Sequence, residues 1–108
     1  MIYTVQEIQS RVMPVAKKYG IKAVFLFGSY AKGTATEDSD IDLLIDTSGT
    51  ALRSLLSLGA LYNDLEAVLE KKIDLITIRS LEQRTQMPSE VAFREAVMKE
   101  RVRLYDVA

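Results

Sequence analysis

Short apolar runs alternate along this chain with longer segments in which apolar residues recur at helical intervals. Runs rich in β-branched, leucine and aromatic residues are typical of buried strands. Three such runs predict strands over residues 22–27, 41–46 and 73–78. Residues 102–105 form a fourth candidate for an extended segment.

Residues 4–19 carry the first helical pattern. Thr4 and Glu7 have the spacing of a capping box, which predicts a helix start there. Pro14 removes a backbone donor, so the segment is either one kinked helix or two short ones. Gly20 is a suitable residue to end it.

Two further helices are predicted in the second half of the chain. An apolar stripe over residues 52–70 follows a loop in which Ser48 or Thr50 is available as a cap. Gly59 within this stripe costs helix stability, so we expect it to permit close packing on the sheet. The last helix is predicted over residues 89–101.

Composition and charge narrow the range of functions. The chain has 108 residues, so a single domain over residues 1–108 is predicted. With a net charge of −1, the chain lacks the positive electrostatic potential that nonspecific binding of a nucleic-acid backbone requires. The absence of cysteine and histidine excludes thiol chemistry, imidazole catalysis and the usual zinc sites. No apolar run approaches membrane-spanning length and no signal peptide is visible, so the expected compartment is the cytoplasm.

Two acids at the start of the second predicted strand carry the candidate chemistry. Asp40 and Asp42 alternate with apolar residues, so in a strand their side chains share a face. Burying two carboxylates costs free energy unless a positive group lies between them, and Mg²⁺ prefers such oxygen ligands. Gly28 and Ser29, which follow the first strand, would let the backbone approach a phosphate closely.

The positions of these residues predict the topology of the sheet. Gly28 and Ser29 close the first strand, whereas Asp40 and Asp42 open the second, so both reach one ligand only if these strands are antiparallel. The second strand, helix and third strand form a β-α-β unit, which favours parallel pairing. Asp74 then lies beside the first two acids. The predicted fold is α+β, a small mixed sheet with helices packed on one face.

The sequence Gly-Ser, ten residues and Asp-x-Asp resembles the signature of the DNA polymerase beta-type nucleotidyltransferase superfamily. The longer string from Gly28, Gly-Ser-Tyr-Ala-Lys-Gly-Thr, followed by Ser-Asp-Ile-Asp-Leu-Leu-Ile, is similar to minimal nucleotidyltransferase (MNT) proteins in particular. The resemblance covers nearly the whole chain. It implies the nucleotidyltransferase fold, and its third carboxylate matches Asp74.

The resemblance also implies a reaction, the transfer of AMP from ATP to an acceptor hydroxyl. Asp40 and Asp42 would hold two Mg²⁺ ions that bridge the triphosphate, and Asp74 would share the ion nearer the acceptor. Taken alone, these acids also fit a turn, a helix cap or a solvent-facing position.

Phosphate binding is implied for the residues at the first turn. Gly28 and Ser29 would hold the terminal phosphates, although Ser29 also fits a simple helix cap. Lys32 matches a position that is often arginine in the family, and it either reaches a phosphate or is an ordinary exposed lysine.

The resemblance also implies a partner, because MNT proteins similar to this one pair with a HEPN-domain toxin, a ribonuclease, and act as its antitoxin by adding AMP to a toxin tyrosine. The resemblance therefore implies a protein adenylyltransferase with ATP as substrate, a HEPN toxin as partner, and either a homo-oligomer or a hetero-oligomer. Two alternatives remain open. One is a noncatalytic antitoxin that masks the toxin by binding, and the other is a small-molecule nucleotidyltransferase of the aminoglycoside type.

Overall fold

A computed structural model describes residues 2–50, 54–83 and 86–107 of the chain. Within these ranges the helices are α1 Val5–Tyr19, α2 Gly28–Lys32, α3 Leu55–Leu69, α4 Ile78–Glu82 and α5 Pro88–Glu100. The strands are β1 Ala23–Phe27, β2 Ile41–Asp46, β3 Ile73–Thr77 and β4 Val102–Asp106. No helix in the described ranges combines the length and apolarity needed to cross a membrane.

The four strands form one mixed sheet in the order β3-β2-β1-β4. β1 pairs antiparallel with β2, and β2 pairs parallel with β3. Both pairings agree with the predicted topology. β4 adds to the other side of β1 as an antiparallel edge strand, with a register shift between Val24 and Phe25. The mixed sheet is therefore confirmed, and the extended segment near residue 102 is a fourth strand.

Helices α1 and α3 cover one face of the sheet. Their buried side chains pack with the strand residues that point toward them, such as Val24, Leu26 and Leu43. Tyr3 strengthens this layer because its hydroxyl donates to the carbonyl of Leu69 at 2.7 Å. This face contains the larger of the two buried clusters, and it corresponds to the helical layer that the sequence predicted.

The helices are not confined to that face, and in this respect the predicted packing is incomplete. The alternate strand residues Phe25, Leu44 and Ile76 form a second buried cluster with Leu81 of α4 and Val97 of α5. We call this side of the sheet the α5 face. All five residues of β1 are buried, a pattern typical of strands that are covered on both sides.

Several element ends differ from the prediction. α1 is one helix that contains Pro14, and its capping box is formed as expected. α3 is capped by Ser54 rather than by Ser48 or Thr50, while Leu52 lies outside the described residues. Ile78 belongs to α4 and not to β3, because the hydroxyl of Thr77 accepts from the backbone of Ser80 at 3.0 Å and starts a helix.

Gly59 does not serve close packing. A Cβ atom placed there would meet no atom within 4 Å, so the expectation of a close approach to the sheet is wrong. Gly59 therefore lowers the stability of α3, and no packing contact explains why glycine stands at this position.

Candidate active site

A row of paired residues crosses three strands at one edge of the sheet. Asp42 of β2 is the Cα partner of Phe27 on β1 and of Asp74 on β3. Directly paired residues in a sheet point to the same side, so the three side chains lie on the α5 face. We call Asp74, Asp42 and Phe27 the acid row. Asp40 precedes β2 beside it.

The helical cover of the α5 face ends before the acids. Leu44 and Ile76, two residues further along β2 and β3, are buried beneath Leu81 and Val97. Asp42 is half-buried, whereas Asp40 and Asp74 are exposed. The carboxylates therefore lie at the border between the apolar cluster and solvent, where a charged ligand can reach them.

Asp42 has a strongly perturbed acidity. Burial is the largest cause, and the charges of Asp74 and Asp40 add to it, so that the pKa of Asp42 rises from 3.8 to about 6. The charge effects place Asp40 and Asp74 each within electrostatic reach of Asp42. A raised pKa that arises from burial and like charges is frequent at functional sites, and a cation would relieve the repulsion.

Gly28 packs directly against the carboxylate of Asp42. Its φ of 71° is in the left-handed region, and a Cβ atom there would lie 2.0 Å from Oδ2 of Asp42. A larger residue would therefore have to displace the carboxylate. Gly28 is also the first residue of α2, directly after the buried Phe27, and Ser29 follows it in a partly exposed position.

Hydrogen bonds shape the loop that presents Asp40. The backbone N–H of Thr36 donates to Oγ of Ser39 at 2.9 Å, and the N–H of Ser39 donates to the carbonyl of Thr36 at 3.1 Å. Lys71, from the turn before β3, donates to the carbonyl of Glu37 at 2.8 Å. Sequence reasoning did not identify Ser39 or Lys71 as supports of the site. The only indication in the sequence was the Thr-x-x-Ser spacing of Thr36 and Ser39, which is typical of a turn.

Lys32 does not join the acids in this structure. Its Nζ lies 3.3 Å from Oε2 of Glu100, at the end of α5, and its side chain is half exposed. The predicted contact of Lys32 with phosphate remains a prediction. Nothing in the sequence indicated that Lys32 pairs with a residue so far along the chain.

The carboxylates are open to solvent at Asp40 and Asp74, which are both exposed. A cavity of about 670 Å³, lined by Asp46, Ser48 and Thr77 among others, opens instead at the opposite ends of β2 and β3. In the described ranges, no three acidic, histidine or cysteine side chains are already gathered as metal ligands. The charges of Asp74 and Asp40 both act on Asp42.

Comparison with known proteins identifies related sequences. A family described as nucleotidyltransferase domain matches residues 14–104. A candidate protein adenylyltransferase from Methanocaldococcus jannaschii is 39% identical, with 71% of this chain and 81% of the relative aligned. Protein adenylyltransferase MntA from Thermococcus cleftensis is also 39% identical, over 72% of this chain and 81% of the relative.

Solved structures show the same fold. A candidate minimal nucleotidyltransferase is 30% identical with a TM-score of 0.65, covering 93% of this chain and 95% of that one. A toxin–antitoxin complex with AMP-PNP has a TM-score of 0.69 at 20% identity, covering 92% and 73%. A complex of the tri-AMPylated Shewanella oneidensis HEPN toxin with its MNT antitoxin has a TM-score of 0.65 at 18% identity, covering 96% and 74%.

Proposed function

This chain belongs to the family of nucleotidyltransferase domains, and on that basis we propose that it is a Mg²⁺-dependent protein adenylyltransferase. It moves AMP from ATP to a hydroxyl group, in our proposal a tyrosine, of a HEPN-family toxin and thereby acts as the antitoxin. The names of its relatives, protein adenylyltransferases, support this assignment. So does its structural similarity to an MNT antitoxin that is bound to an AMPylated toxin.

The observation that carries the proposal is the arrangement of Gly28, Asp42 and Asp74. Asp42 lies between Asp74 on β3 and the end of β1, where Gly28 leaves no room for a side chain. Such a site brings carboxylates to one side of a substrate and a backbone turn to the other. A triphosphate needs both, because its phosphates bind backbone N–H groups and its cation binds carboxylates.

Divalent cations fit the three carboxylates of Asp40, Asp42 and Asp74 by charge and by ligand type. The carboxylates of Asp40 and Asp42 would hold Mg²⁺, and Asp74 would share an ion with the acceptor. Support comes from the raised pKa of Asp42, which burial and the charges of Asp74 and Asp40 produce, because a bound cation would favour the ionised carboxylate. When bound, Mg²⁺ supplies charge neutralisation on the triphosphate and acidifies the acceptor hydroxyl.

The residues of the chain have separate tasks in the transfer. The acceptor oxygen forms a bond to the α-phosphorus of ATP, and the bond from that phosphorus to its bridging oxygen breaks. Pyrophosphate leaves with the electron pair of that bond, and the hydroxyl proton passes to solvent water. Asp74, on β3, would face the acceptor. Gly28 and Ser29 would hold the departing phosphates, and Lys32 would reach them if it leaves Glu100. Positioning and charge neutralisation supply most of the acceleration in such transfers.

The direct test is incubation of the protein with ATP, Mg²⁺ and a HEPN-family protein encoded beside its gene, followed by intact mass measurement of the partner. The proposal expects a mass increase of one or more AMP groups on the partner. The matched control is the double variant Asp40→Asn, Asp42→Asn, which should fold and leave the partner unmodified. An unmodified partner with the wild-type protein would overturn the assignment.

The same experiment separates catalysis from masking. A masking antitoxin would suppress the ribonuclease activity of the toxin with the double variant as well as with the wild-type protein. The catalytic proposal expects suppression only where AMP is transferred. We place this pair of proteins in the cytoplasm, where ATP and the RNA targets of such a toxin are present.

A further inference from the structure

Strand β3, which carries the exposed Asp74, lies at one edge of the sheet. It pairs with β2 on its inner side, and in the described ranges no strand pairs with its outer side. The backbone groups of a strand point alternately to its two sides, so part of β3 presents hydrogen-bonding groups outward. An acid of the candidate site and an unpaired strand edge therefore lie side by side.

Two hydrogen bonds show which backbone groups of β3 point outward. The carbonyl of Lys72 accepts from the N–H of Ile41 at 3.1 Å, so alternate residues from Lys72 onward direct their backbone groups to β2. The carbonyl of Ile73 accepts instead from the hydroxyl of Tyr62 at 3.2 Å. Leu75, two residues after Ile73, has the same orientation. Its N–H and its carbonyl therefore offer a donor and an acceptor to a further strand.

The other edge of the sheet is less suited to the same role. It is formed by β4, and β1 and β2 separate it from Asp74. The side chain of Gln9, from α1, also donates to the carbonyl of Leu104 on β4 at 2.9 Å. In the described sheet it is therefore the edge at β3 that borders the candidate site.

The transfer reaction sets the direction from which the acceptor comes. In-line attack places the acceptor oxygen and the departing pyrophosphate on opposite sides of the α-phosphorus. In the proposed function the phosphates lie toward Gly28, at the end of β1, and the acceptor lies at Asp74. The acid row crosses the sheet from Phe27 through Asp42 to Asp74. The acceptor therefore approaches from beyond Asp74, which is the outer side of β3.

We infer that the acceptor protein docks an extended segment on the outer edge of β3 as an added strand, and that this segment carries the acceptor tyrosine. The inference rests on the proposed function. Neighbouring strands lie about 4.8 Å apart, and paired residues point to the same side of the sheet. A tyrosine paired with Asp74 would thus extend the acid row and point to the α5 face. Backbone hydrogen bonds with Leu75 hold the segment, so the tyrosine is selected by its position along the strand.

Amide hydrogen exchange in the intact protein tests this docking site. In the free chain the N–H of Leu75 points away from β2 and should exchange quickly, whereas the N–H of Ile76 faces β2 and should exchange slowly. The probe is an excess of the HEPN-family protein encoded beside the gene, added without ATP so that it stays unmodified. It should slow exchange at Leu75 about 10-fold or more. An unchanged rate at Leu75, with a partner that does become AMPylated when ATP is added, would overturn the inference and leave the proposed function intact.

Leu75→Pro tests the same contact by kinetics. Proline removes the outward N–H and its ring obstructs an added strand, but no hydrogen bond to β2 is lost. Leu75→Ala is the matched control, because it also loses the partly buried side chain but keeps the N–H. Relative to this control, Leu75→Pro should raise the KM for the partner about 10-fold and leave kcat and the Kd of Mg²⁺-ATP unchanged.

Equal KM values for Leu75→Pro and Leu75→Ala would overturn the inference. Where the proline variant fails to fold, the exchange rate of Leu75 in the wild-type protein decides. A wild-type protein that neither binds Mg²⁺-ATP nor modifies the partner would instead refute the proposed function, and this inference with it.

Discussion

Substitution of Gly28 by alanine tests the close contact between the turn after β1 and the carboxylate of Asp42. Two unfavourable effects are expected, one on the backbone and one on this carboxylate. An L-residue at a φ of 71° pays about 1–2 kcal/mol for the left-handed conformation. The new Cβ would also lie 2.0 Å from Oδ2 of Asp42, where real contacts essentially never fall below 3.0 Å, so the carboxylate has to move by 3.0 − 2.0 = 1.0 Å or more.

Gly20→Ala is the matched control. Gly20 has a φ of 66°, close to that of Gly28, but a Cβ there meets nothing within 4 Å. The left-handed conformation should therefore cost each variant about 1–2 kcal/mol of unfolding free energy, or roughly 4–16 °C in Tm for a domain of this size, and Gly28→Ala should lose more than Gly20→Ala because of its clash. Gly28→Ala carries the additional displacement of Asp42. A shift of about 1 Å in a catalytic group can reduce turnover about 100-fold.

The assay is AMP transfer to the partner under single-turnover conditions, with the Tm of each variant measured by scanning calorimetry. Transfer should fall about 100-fold in Gly28→Ala and remain near wild type in Gly20→Ala. In an Asp42→Ala background the two glycine substitutions should cost nearly equal stability, because the carboxylate that causes the clash is absent. Equal transfer rates in Gly28→Ala and Gly20→Ala would refute the proposed fit between Gly28 and Asp42.

Three further outcomes are expected. Because burial and the charges of Asp74 and Asp40 raise the pKa of Asp42 from 3.8 to about 6, the protonated carboxyl favours the folded state. Without ligand, wild-type stability should fall relative to Asp42→Asn as the pH rises from about 4 to 6, by about 1–2 kcal/mol after solvent screening; parallel Tm curves would contradict this. Asp74→Asn should retain ATP affinity but lose turnover, since its contact with the acceptor is made mainly in the transition state; a matching loss of affinity would exclude that role. Gly59→Ala, in a helix interior with space for a methyl group, should raise the free energy of unfolding by about 0.5–1 kcal/mol, which urea denaturation can measure.

The sequence was sufficient to predict the sheet around the acids, because local patterns determine it. Alternation of Asp40 and Asp42 with apolar residues indicated a shared face, and the β-α-β order indicated that Asp74 lies beside them. The observed register, Asp42 opposite Asp74, follows from the same alternation. A one-residue slip would turn the acids of one strand to the opposite face, into the buried cluster beneath α1 and α3, so burial fixes the register.

Contacts between distant segments could not be read from local patterns. The ion pair of Lys32 with Glu100 depends on how α5 returns across the sheet, which no periodicity specifies. The same holds for the contact of Phe93 with Phe27. The second helical layer, however, could be predicted from the sequence. Five consecutive apolar residues in β1 indicate burial on both faces of the sheet.

The antiparallel pairing of β1 with β2 makes a single site possible. β1 ends at the edge of the sheet where β2 and β3 begin, so Gly28 meets Asp42 there. If β1 ran parallel to β2, its five residues would carry Gly28 roughly 16 Å away, to the opposite edge. Open parallel sheets bind ligands at the carboxyl ends of their strands, which here is the edge with the 670 Å³ cavity beside Asp46. The carboxylates lie instead at the amino ends of β2 and β3, the edge at which the backbone turn at Gly28 meets Asp42.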